Sequence, residues 1–267
     1  MTGNEELLEL AVAIATDAGR LAAARREVGV EVAASKSSLE DVVTFADRET
    51  EALIRSRLAD ARPDDGFLGE ESGTGSGRSG LTWVVDPIDG TVNYLYGIPH
   101  YAVSIAVVEG EPDPATWTAL AGVVFNPASG ELFTATRGGG AHLAGRRLTV
   151  APPVDLSQAL VGTGFGYQAA KRERQAAVVQ RLIGRIRDIR RFGTASLDLC
   201  SVASGRLNAY YESGLAPWDH AAGGLVAAEA GALVTGGDGR PASSDLIISA
   251  HPEVAKTLES VLREVTN

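Results

Sequence analysis

The sequence predicts a layered fold that mixes α-helices and β-strands, on three observations. The chain has 267 residues, of which 45% are hydrophobic and 22% charged, and these proportions are ordinary for a globular protein with a sizeable core. Several segments place apolar side chains at helical spacing, while apolar runs of strand length lie between them. Because the two patterns alternate along the whole chain, α/β or α+β packing is expected.

Two amphipathic helices are predicted in the N-terminal part. Residues 5–26 carry apolar side chains at helical spacing. A second helix begins at Thr44 or Asp47, since either residue can cap a helix, and it ends near residue 58. We expect the charged side chains of this second helix, including that of Glu51, to face solvent.

Further along, short apolar runs predict strands and longer periodic segments predict helices. The predicted strands cover residues 66–69, 81–85, 102–108, 119–125, 131–136, 160–163, 209–211, 233–234 and 246–249. The predicted helices cover residues 172–186, 197–204, 221–230 and 252–265. The glycine- and serine-rich residues 73–80 predict a surface loop.

Pro152 and Pro153 mark a seam between two halves of the chain. Residues 1–150 would form an N-terminal α+β half that carries metal-site motifs. Residues 151–267 would form a C-terminal α/β half that completes the active site, and we expect the halves to make one compact unit.

Charge and cysteine content exclude several classes of function. Acidic residues outnumber basic ones, 34 to 24, and the net charge of -10 gives no general attraction to nucleic acid. The single cysteine, Cys200, excludes an intrachain disulfide and a cysteine-rich zinc site. The N-terminus lacks the pattern of a secretory signal and no apolar stretch is long enough to span a membrane, so we expect a cytoplasmic protein without a membrane partner.

The densest group of potential metal-binding residues directly follows the predicted strand at residues 81–85. Asp86 and Asp89 stand three residues apart, and Pro87 stiffens the turn between them. This turn can aim both carboxylates and the carbonyl of Ile88 at one point. Three oxygens around one point suit a hard cation such as Mg2+.

The next residues, Gly90 and Thr91, predict a helix start. Free backbone N–H groups and the positive end of a helix dipole suit a phosphate group. The alternative interpretation of the whole segment is an acidic turn followed by a helix cap, with no ligand.

Three further acidic segments favour the metal-site interpretation when they are taken together. Alone, Glu70 and Glu71 would form a solvated loop, Asp47 would cap a helix, and Asp219 would be the N-cap of the helix behind Trp218. Carboxylates packed together without positive charge repel one another, so their convergence predicts a bound cation.

These segments resemble the inositol monophosphatase family in their order and rough spacing. The matching motifs are Asp41-Val42-Val43-Thr44-x-x-Asp47, Gly69-Glu70-Glu71, Asp86-Pro87-Ile88-Asp89-Gly90-Thr91 and Trp218-Asp219. The segments Gly193-Thr194-Ala195-Ser196 and Tyr210-Tyr211-Glu212 resemble the family's substrate-facing part. The resemblance spans residues 36–230, and it implies a layered α-β-α-β-α sandwich, the sugar phosphatase fold, and a homodimer.

The resemblance also implies a role for each matched residue. Two Mg2+ ions, with a third and weaker one allowed, would be held by Glu70, Asp86, Ile88, Asp89 and Asp219. The catalytic residues would be Thr91, which orients the attacking water, and Asp47 and Glu70, which assist it. The substrate would be bound by Asp89, Gly90, Thr91, Ala195 and Glu212. Lys36 would lie over the metal site, and Glu71 would stand close to it.

The activity implied is Mg2+-dependent, Li+-sensitive hydrolysis of a small phosphorylated polyol or sugar, with inositol 1-phosphate as the first candidate. Two cations about 3.5–4 Å apart would offset the charge that protects a phosphate monoester from attack. The short 73–80 segment and Glu212, which can accept hydrogen bonds from ring hydroxyls, favour the inositol phosphatase branch. Fructose 1,6-bisphosphate, histidinol phosphate, NADP and adenosine 3',5'-bisphosphate remain alternative substrates.

A second hypothesis is a non-catalytic role as a partner in a transcription or RNA complex. The basic stretch from Lys171 to Arg191 is the most cationic part of the chain, and its arginine-rich residues 181–191 would form the surface. The simpler interpretation of this stretch is a solvated helix face. The overall negative charge argues against general nucleic-acid binding.

Overall fold

The structure is a computed structural model that describes residues 3–30, 32–35 and 42–266. Its helices are α1 (Gly3–Val28), α2 (Phe45–Ala61), α3 (Thr91–Tyr96), α4 (Ala169–Leu182), α5 (Ala195–Ala203), α6 (Pro217–Glu229) and α7 (Pro252–Thr266). Its first strands are β1 (Val32–Ser35), β2 (Val42–Thr44), β3 (Gly66–Gly69), β4 (Gly73–Gly75), β5 (Leu81–Asp89), β6 (Ala102–Glu109), β7 (Thr118–Asn126) and β8 (Glu131–Thr136). The remaining strands are β9 (Gly140–Leu143), β10 (Arg146–Arg147), β11 (Leu160–Thr163), β12 (Asp188–Arg190), β13 (Ala209–Glu212), β14 (Leu233–Thr235) and β15 (Ile247–Ala250).

Two large sheets organise most of the described residues into five layers, and β1 and β2 pair separately as a two-stranded sheet. The larger sheet has eight strands in the order β10-β9-β8-β7-β6-β5-β3-β4, and the smaller has five in the order β12-β11-β13-β15-β14. Helices α1 and α2 pack on the outer face of the larger sheet, α5 and α6 lie between the sheets, and α4 and α7 cover the outer face of the smaller one. The predicted α-β-α-β-α sandwich is confirmed.

Strand β6 shows why the apolar runs are continuous. Ala106 and Val108 belong to the core between the sheets, whereas Ile105 and Val107 face the layer of α1 and α2. Successive side chains of a strand point to opposite faces, so burial on both faces removes the usual polar alternation.

One hydrophobic core joins the two halves of the chain. Val124 and Phe133 of the larger sheet pack in the same cluster as Leu199 of α5, Val226 of α6 and Tyr210 of the smaller sheet. The side chain of Cys200 is buried in this cluster. In the described part of the chain, no helix combines the length and the apolar character of a membrane span.

Several local predictions are wrong. The predicted loop at 73–80 contains strand β4, which pairs antiparallel with β3. The predicted helix at 172–186 ends at Leu182, and the chain continues through a 3-10 turn into β12, which pairs with β11. Glu51 does not face solvent, because only 2% of it is exposed.

Candidate active site

The turn that carries Asp86 and Asp89 is a bulge in strand β5. Asp86 pairs with Ser104 and Asp89 with Ala102, so β5 has one more residue here than β6. Pro87 lies inside the bulge, where its missing N–H removes nothing from the ladder. The Ile88 N–H donates to Asp86 Oδ1 at 3.1 Å. Both carboxylates are buried and lie beside each other at the end of the strand.

Gly90 turns the chain from β5 into helix α3, as predicted. Its φ of 93° lies in the left-handed region that favours glycine. A Cβ at this position would also collide with the Thr194 hydroxyl. Position 90 therefore needs glycine for two independent reasons, and the resulting turn places Thr91 at the first position of α3.

The Thr91 hydroxyl lies against two acceptors. It is 3.1 Å from Asp47 Oδ1 and 3.1 Å from the Ile88 carbonyl oxygen. Asp47 is fixed through its other oxygen, because Thr44 donates its backbone N–H to Oδ2 at 2.7 Å and its hydroxyl to the same atom at 2.5 Å. Thr44 caps α2, as one of the two sequence interpretations predicted. Asp47 thus serves both as a capping partner and as a hydrogen-bond partner of Thr91.

Glu70 reaches the site because β3 runs parallel to β5. Gly69 and Val85 are register partners, so the two strands end at the same edge of the sheet. The Glu70 N–H donates to the Val85 carbonyl at 3.2 Å, which keeps the chain beside β5 for one further residue. The backbone N–H of Glu71 donates instead to Glu51. Glu70 lines the pocket, and Glu71 is not among its lining residues.

Asp219 occupies the third position of α6 and is not its N-cap, which corrects the simple sequence interpretation. Helix α6 begins at Pro217, which fits the first position because it has no N–H to leave unpaired. Asp219 Oδ2 accepts the backbone N–H of Ala216 at 2.6 Å. Trp218 lines the pocket and, partly buried, packs against the central core.

The C-terminal half contributes the opposite wall. The Ser196 N–H at the start of α5 donates to Asp89 Oδ2 at 2.7 Å and so joins α5 to the bulge in β5. Glu212 ends β13 and accepts a hydrogen bond from the Tyr210 hydroxyl at 2.5 Å. Ala195 lines the same pocket.

These residues surround one pocket of about 410 Å3. It brings together most of the residues singled out from the sequence: Glu70, Asp86, Ile88, Asp89, Gly90, Thr91, Ala195, Glu212 and Asp219. Asp47 does not line the pocket, but it accepts a hydrogen bond from the hydroxyl of Thr91, which does. Lys36 lies outside the described residues.

Burial and repulsion between neighbouring carboxylates raise the pKa values of the aspartates of the site. Burial first, then the charges of Glu70, Asp89 and Asp219, hold the pKa of Asp86 well above its usual range. Burial first, then the charges of Asp89, Glu70 and Glu212, likewise hold the pKa of Asp219 well above its usual range. Burial raises the pKa of Asp89 to about 7 although Ser196 opposes the shift, and burial raises that of Asp47 to about 6. A bound group with positive charge would therefore stabilise the ionised form of these carboxyl groups.

The oxygen donors fit a hard cation in their chemistry. Within the part of the chain that the structure describes, however, no three His, Cys, Asp or Glu side chains stand close enough to hold a metal ion as they are. The charges of Glu70, Asp89 and Asp219 all act on the pKa of Asp86, as expected for side chains that are near neighbours.

Several residues that lie at or near the site were not identified from the sequence. Lys171 and Arg191 line the pocket, and the positive charge of each lowers the pKa of Glu212 against the larger effect of burial. Asp198 is buried in α5, where burial and the charges of Glu212 and Asp89 hold its pKa well above the usual range. An acidic residue inside the apolar run of α5 was the available signal for Asp198.

Comparison with known proteins agrees with the fold and shows the family of the chain. A model of the inositol monophosphatase family matches residues 3–266. Inositol-1-monophosphatase of Mycobacterium bovis is 47% identical over 239 residues, which cover 86% of this chain and 80% of that protein. Nus factor SuhB of Escherichia coli K12 is 39% identical over 264 residues, which cover 97% and 96%. Extragenic suppressor protein suhB from Bartonella henselae, a crystal structure, superposes with a TM-score of 0.87 at 36% identity, with 97% and 99% covered.

The fold and its acidic pocket therefore define a phosphoric monoester hydrolase. The chain belongs to the inositol monophosphatase family.

Proposed function

We propose that this enzyme hydrolyses a small phosphorylated polyol or sugar with the aid of Mg2+, and that inositol 1-phosphate is the first substrate to test. The observation that carries the proposal is the convergence of Glu70, Asp86, Asp89 and Asp219 beside the hydroxyl of Thr91. The 47% identity to a relative named inositol-1-monophosphatase supports the choice of substrate.

Five groups in the pocket would hold the ions. They are the carboxylates of Glu70, Asp86, Asp89 and Asp219 and the carbonyl of Ile88. Mg2+ in such a site offsets the charge of the phosphate and makes a water molecule a better nucleophile. Positive charge there would also relieve the repulsion that raises the pKa values of Asp86 and Asp219.

Thr91 and Asp47 would handle the proton of the attacking water. A hydroxyl that donates to Asp47 leaves its lone pairs directed at other partners, so it can accept a hydrogen bond from a water in the pocket. The pKa of Asp47 is raised to about 6, which lies close enough to neutrality for the carboxylate to act as a general base through Thr91.

The substrate would lie between the two walls of the pocket. Gly90 and Thr91 would bind the phosphate with backbone N–H groups at the start of α3. Glu212 would accept hydrogen bonds from the hydroxyls of the alcohol part, beside Ala195. Lys171 and Arg191 supply positive charge along the same wall, which favours an anionic substrate.

A phosphate-release assay tests this proposal. The purified protein is assayed with Mg2+ on inositol 1-phosphate, fructose 1,6-bisphosphate, adenosine 3',5'-bisphosphate, histidinol phosphate and NADP. We expect inositol 1-phosphate to be hydrolysed with the highest kcat/KM, EDTA to stop the reaction, Mg2+ to restore it and Li+ to inhibit it. Hydrolysis that persists in EDTA contradicts the metal site, and preference for another ester contradicts only the substrate.

A homodimer is part of the same proposal. Light scattering coupled to size-exclusion chromatography measures the mass directly. A mass of one chain at the concentration used for the assay contradicts the dimer and leaves the activity unaffected.

A second candidate function is a partner role in a transcription or RNA complex. The observation that favours it is the name Nus factor SuhB of the Escherichia coli relative. Residues 181–191 are not a continuous helix face: Arg181 donates to the Val265 carbonyl, Arg185 pairs with Glu264, and Arg191 lines the active-site pocket. An Asp89→Asn protein that loses turnover but still binds such a complex would show that the two roles are separable.

A further inference from the structure

Glu51 is a buried carboxylate that the chemistry described so far does not use. It lies on α2, one turn after Asp47, and only 2% of the residue is exposed. Its Oε2 accepts the backbone N–H of Glu71 at 2.8 Å, and its Oε1 accepts that of Ser72 at 2.7 Å. Hydrogen bonds to an ionised carboxylate are stronger than those between neutral groups. Glu51 therefore fixes the loop that follows Glu70.

The chain before Glu70 is fixed as well. The Glu70 N–H donates to the Val85 carbonyl of β5. At Gly69, a Cβ would lie 2.5 Å from Glu51 Oε2, so the carboxylate packs against the backbone where a side chain has no room. Glu70 thus stands between a strand on one side and the two hydrogen bonds of Glu51 on the other.

We propose that Glu51 is a positioning residue that sets Glu70 for binding of the metal ion. Asp47 and Glu51 stand four residues apart and so lie on one face of α2. Asp47 contacts the Thr91 hydroxyl, and Glu51 holds the backbone beside Glu70. Helix α2 therefore supports two parts of the site. Through Asp47 it positions Thr91, which would orient the attacking water, and through Glu51 it positions Glu70, which would bind the ion. This inference rests on the proposed function, because it requires Glu70 to bind the ion.

The chain contains a matched control for this role. Glu229 of α6 also binds a loop through both carboxylate oxygens, which accept the N–H groups of Gly138 at 2.8 Å and Gly140 at 2.9 Å. That loop joins β8 to β9, and none of these three residues lines the active-site pocket. Loss of either carboxylate removes the same kind of loop anchor, but only one of the anchors lies beside Glu70.

The test compares Glu51→Gln with Glu229→Gln in the full chain. Glutamine keeps the shape of the side chain, but its NH2 group faces one of the two N–H donors and cannot accept from it. Mg2+ binding is measured by calorimetry without substrate, and Mg2+ activation is measured by phosphate release. We expect Glu51→Gln to raise the Mg2+ Kd about tenfold or more, because losing a residue that orients a metal ligand typically weakens metal binding by that amount. At saturating Mg2+, kcat should stay near the wild-type value. Glu229→Gln should leave the Mg2+ Kd unchanged.

A Mg2+ Kd in Glu51→Gln equal to that of wild type, with the protein folded, overturns the positioning role. Thermal unfolding in EDTA shows whether each variant is folded. If Glu51→Gln shows no cooperative transition, Glu51→Asp, which keeps the charge one methylene shorter, takes its place and the same Kd criterion applies. A wild-type protein that binds no Mg2+ or releases no phosphate contradicts the proposed function instead, so the two failures are distinguishable.

Discussion

The hydroxyl of Thr91 lies 3.1 Å from Asp47 Oδ1, although the two residues are 44 positions apart in the sequence. Asp47 belongs to the layer of α1 and α2, and Thr91 begins the helix that follows the bulge in β5. The contact therefore joins the outer helical layer to the edge of the larger sheet where the other acidic groups lie. A buried carboxylate with a raised pKa next to a hydroxyl is suited to proton transfer.

Thr91→Val should lower kcat by about a hundredfold or more, since positioned proton-transfer groups contribute roughly 10²–10⁴-fold. Valine keeps the shape of threonine but removes the hydroxyl that contacts Asp47. Thr91→Ser is the matched control, because it keeps the hydroxyl and loses only a methyl group. Steady-state phosphate release at saturating Mg2+ measures both variants. Equal kcat values for the valine and serine variants would show that the hydroxyl has no role in turnover.

Asp89→Asn should reduce turnover to less than a tenth of the wild-type rate and leave the fold intact. The asparagine carbonyl can still accept the Ser196 N–H, so the contact between β5 and α5 survives. The change removes one of the four carboxylates that we propose as metal ligands. Phosphate release measures the activity, and circular dichroism with thermal unfolding checks the fold. A folded variant that keeps more than a tenth of the wild-type activity contradicts the role of Asp89.

Local patterns in the sequence predicted the mixed packing of helices and strands and the turn that carries Asp86 and Asp89. The resemblance to the inositol monophosphatase family implied the five-layer sandwich and most of the other site residues. The apolar runs of β6 and β7 are continuous because both faces of the larger sheet are covered. Asp86 and Asp89 were found because Pro87 and Gly90 mark the turn that holds them. Strand β12 was missed because it has only three residues, one of them Asp188, at the edge of its sheet.

The residues that were missed depend on contacts between distant segments. Glu51 has an ordinary place in the pattern of α2, and only the approach of the loop at Glu71 and Ser72 buries its charge. Lys171 and Arg191 lie in a cationic stretch that suggested a solvated face, yet the fold directs both to the pocket. No spacing rule in a single sequence contains these tertiary contacts.

Gly90→Ala should destabilise the protein by about 1–3 kcal/mol and also lower activity, because a left-handed backbone conformation and a collision with Thr194 act together. Gly130→Ala is the matched control. Gly130 also has a positive φ, of 74°, but an added Cβ meets no atom within 4 Å. We expect the control to lose about 1–2 kcal/mol from the left-handed backbone alone and to keep wild-type kcat. Urea unfolding and phosphate release separate the two effects, and wild-type activity in Gly90→Ala would contradict the need for this turn.

The metal-free protein should lose stability as the pH rises from about 4 to about 7. The pKa of Asp47 is raised from 3.8 to about 6 and that of Asp89 from 3.8 to about 7, so the folded state binds more protons than the unfolded state between these values. Stability from such groups is fully present below the unfolded pKa and is lost as the pH passes the folded pKa. A shift of two pKa units corresponds to about 3 kcal/mol, which is an upper bound for Asp47. Urea unfolding in EDTA at a series of pH values measures the slope, which should flatten in Asp89→Asn and when Mg2+ is present. Stability that rises with pH across this window would contradict the raised pKa values.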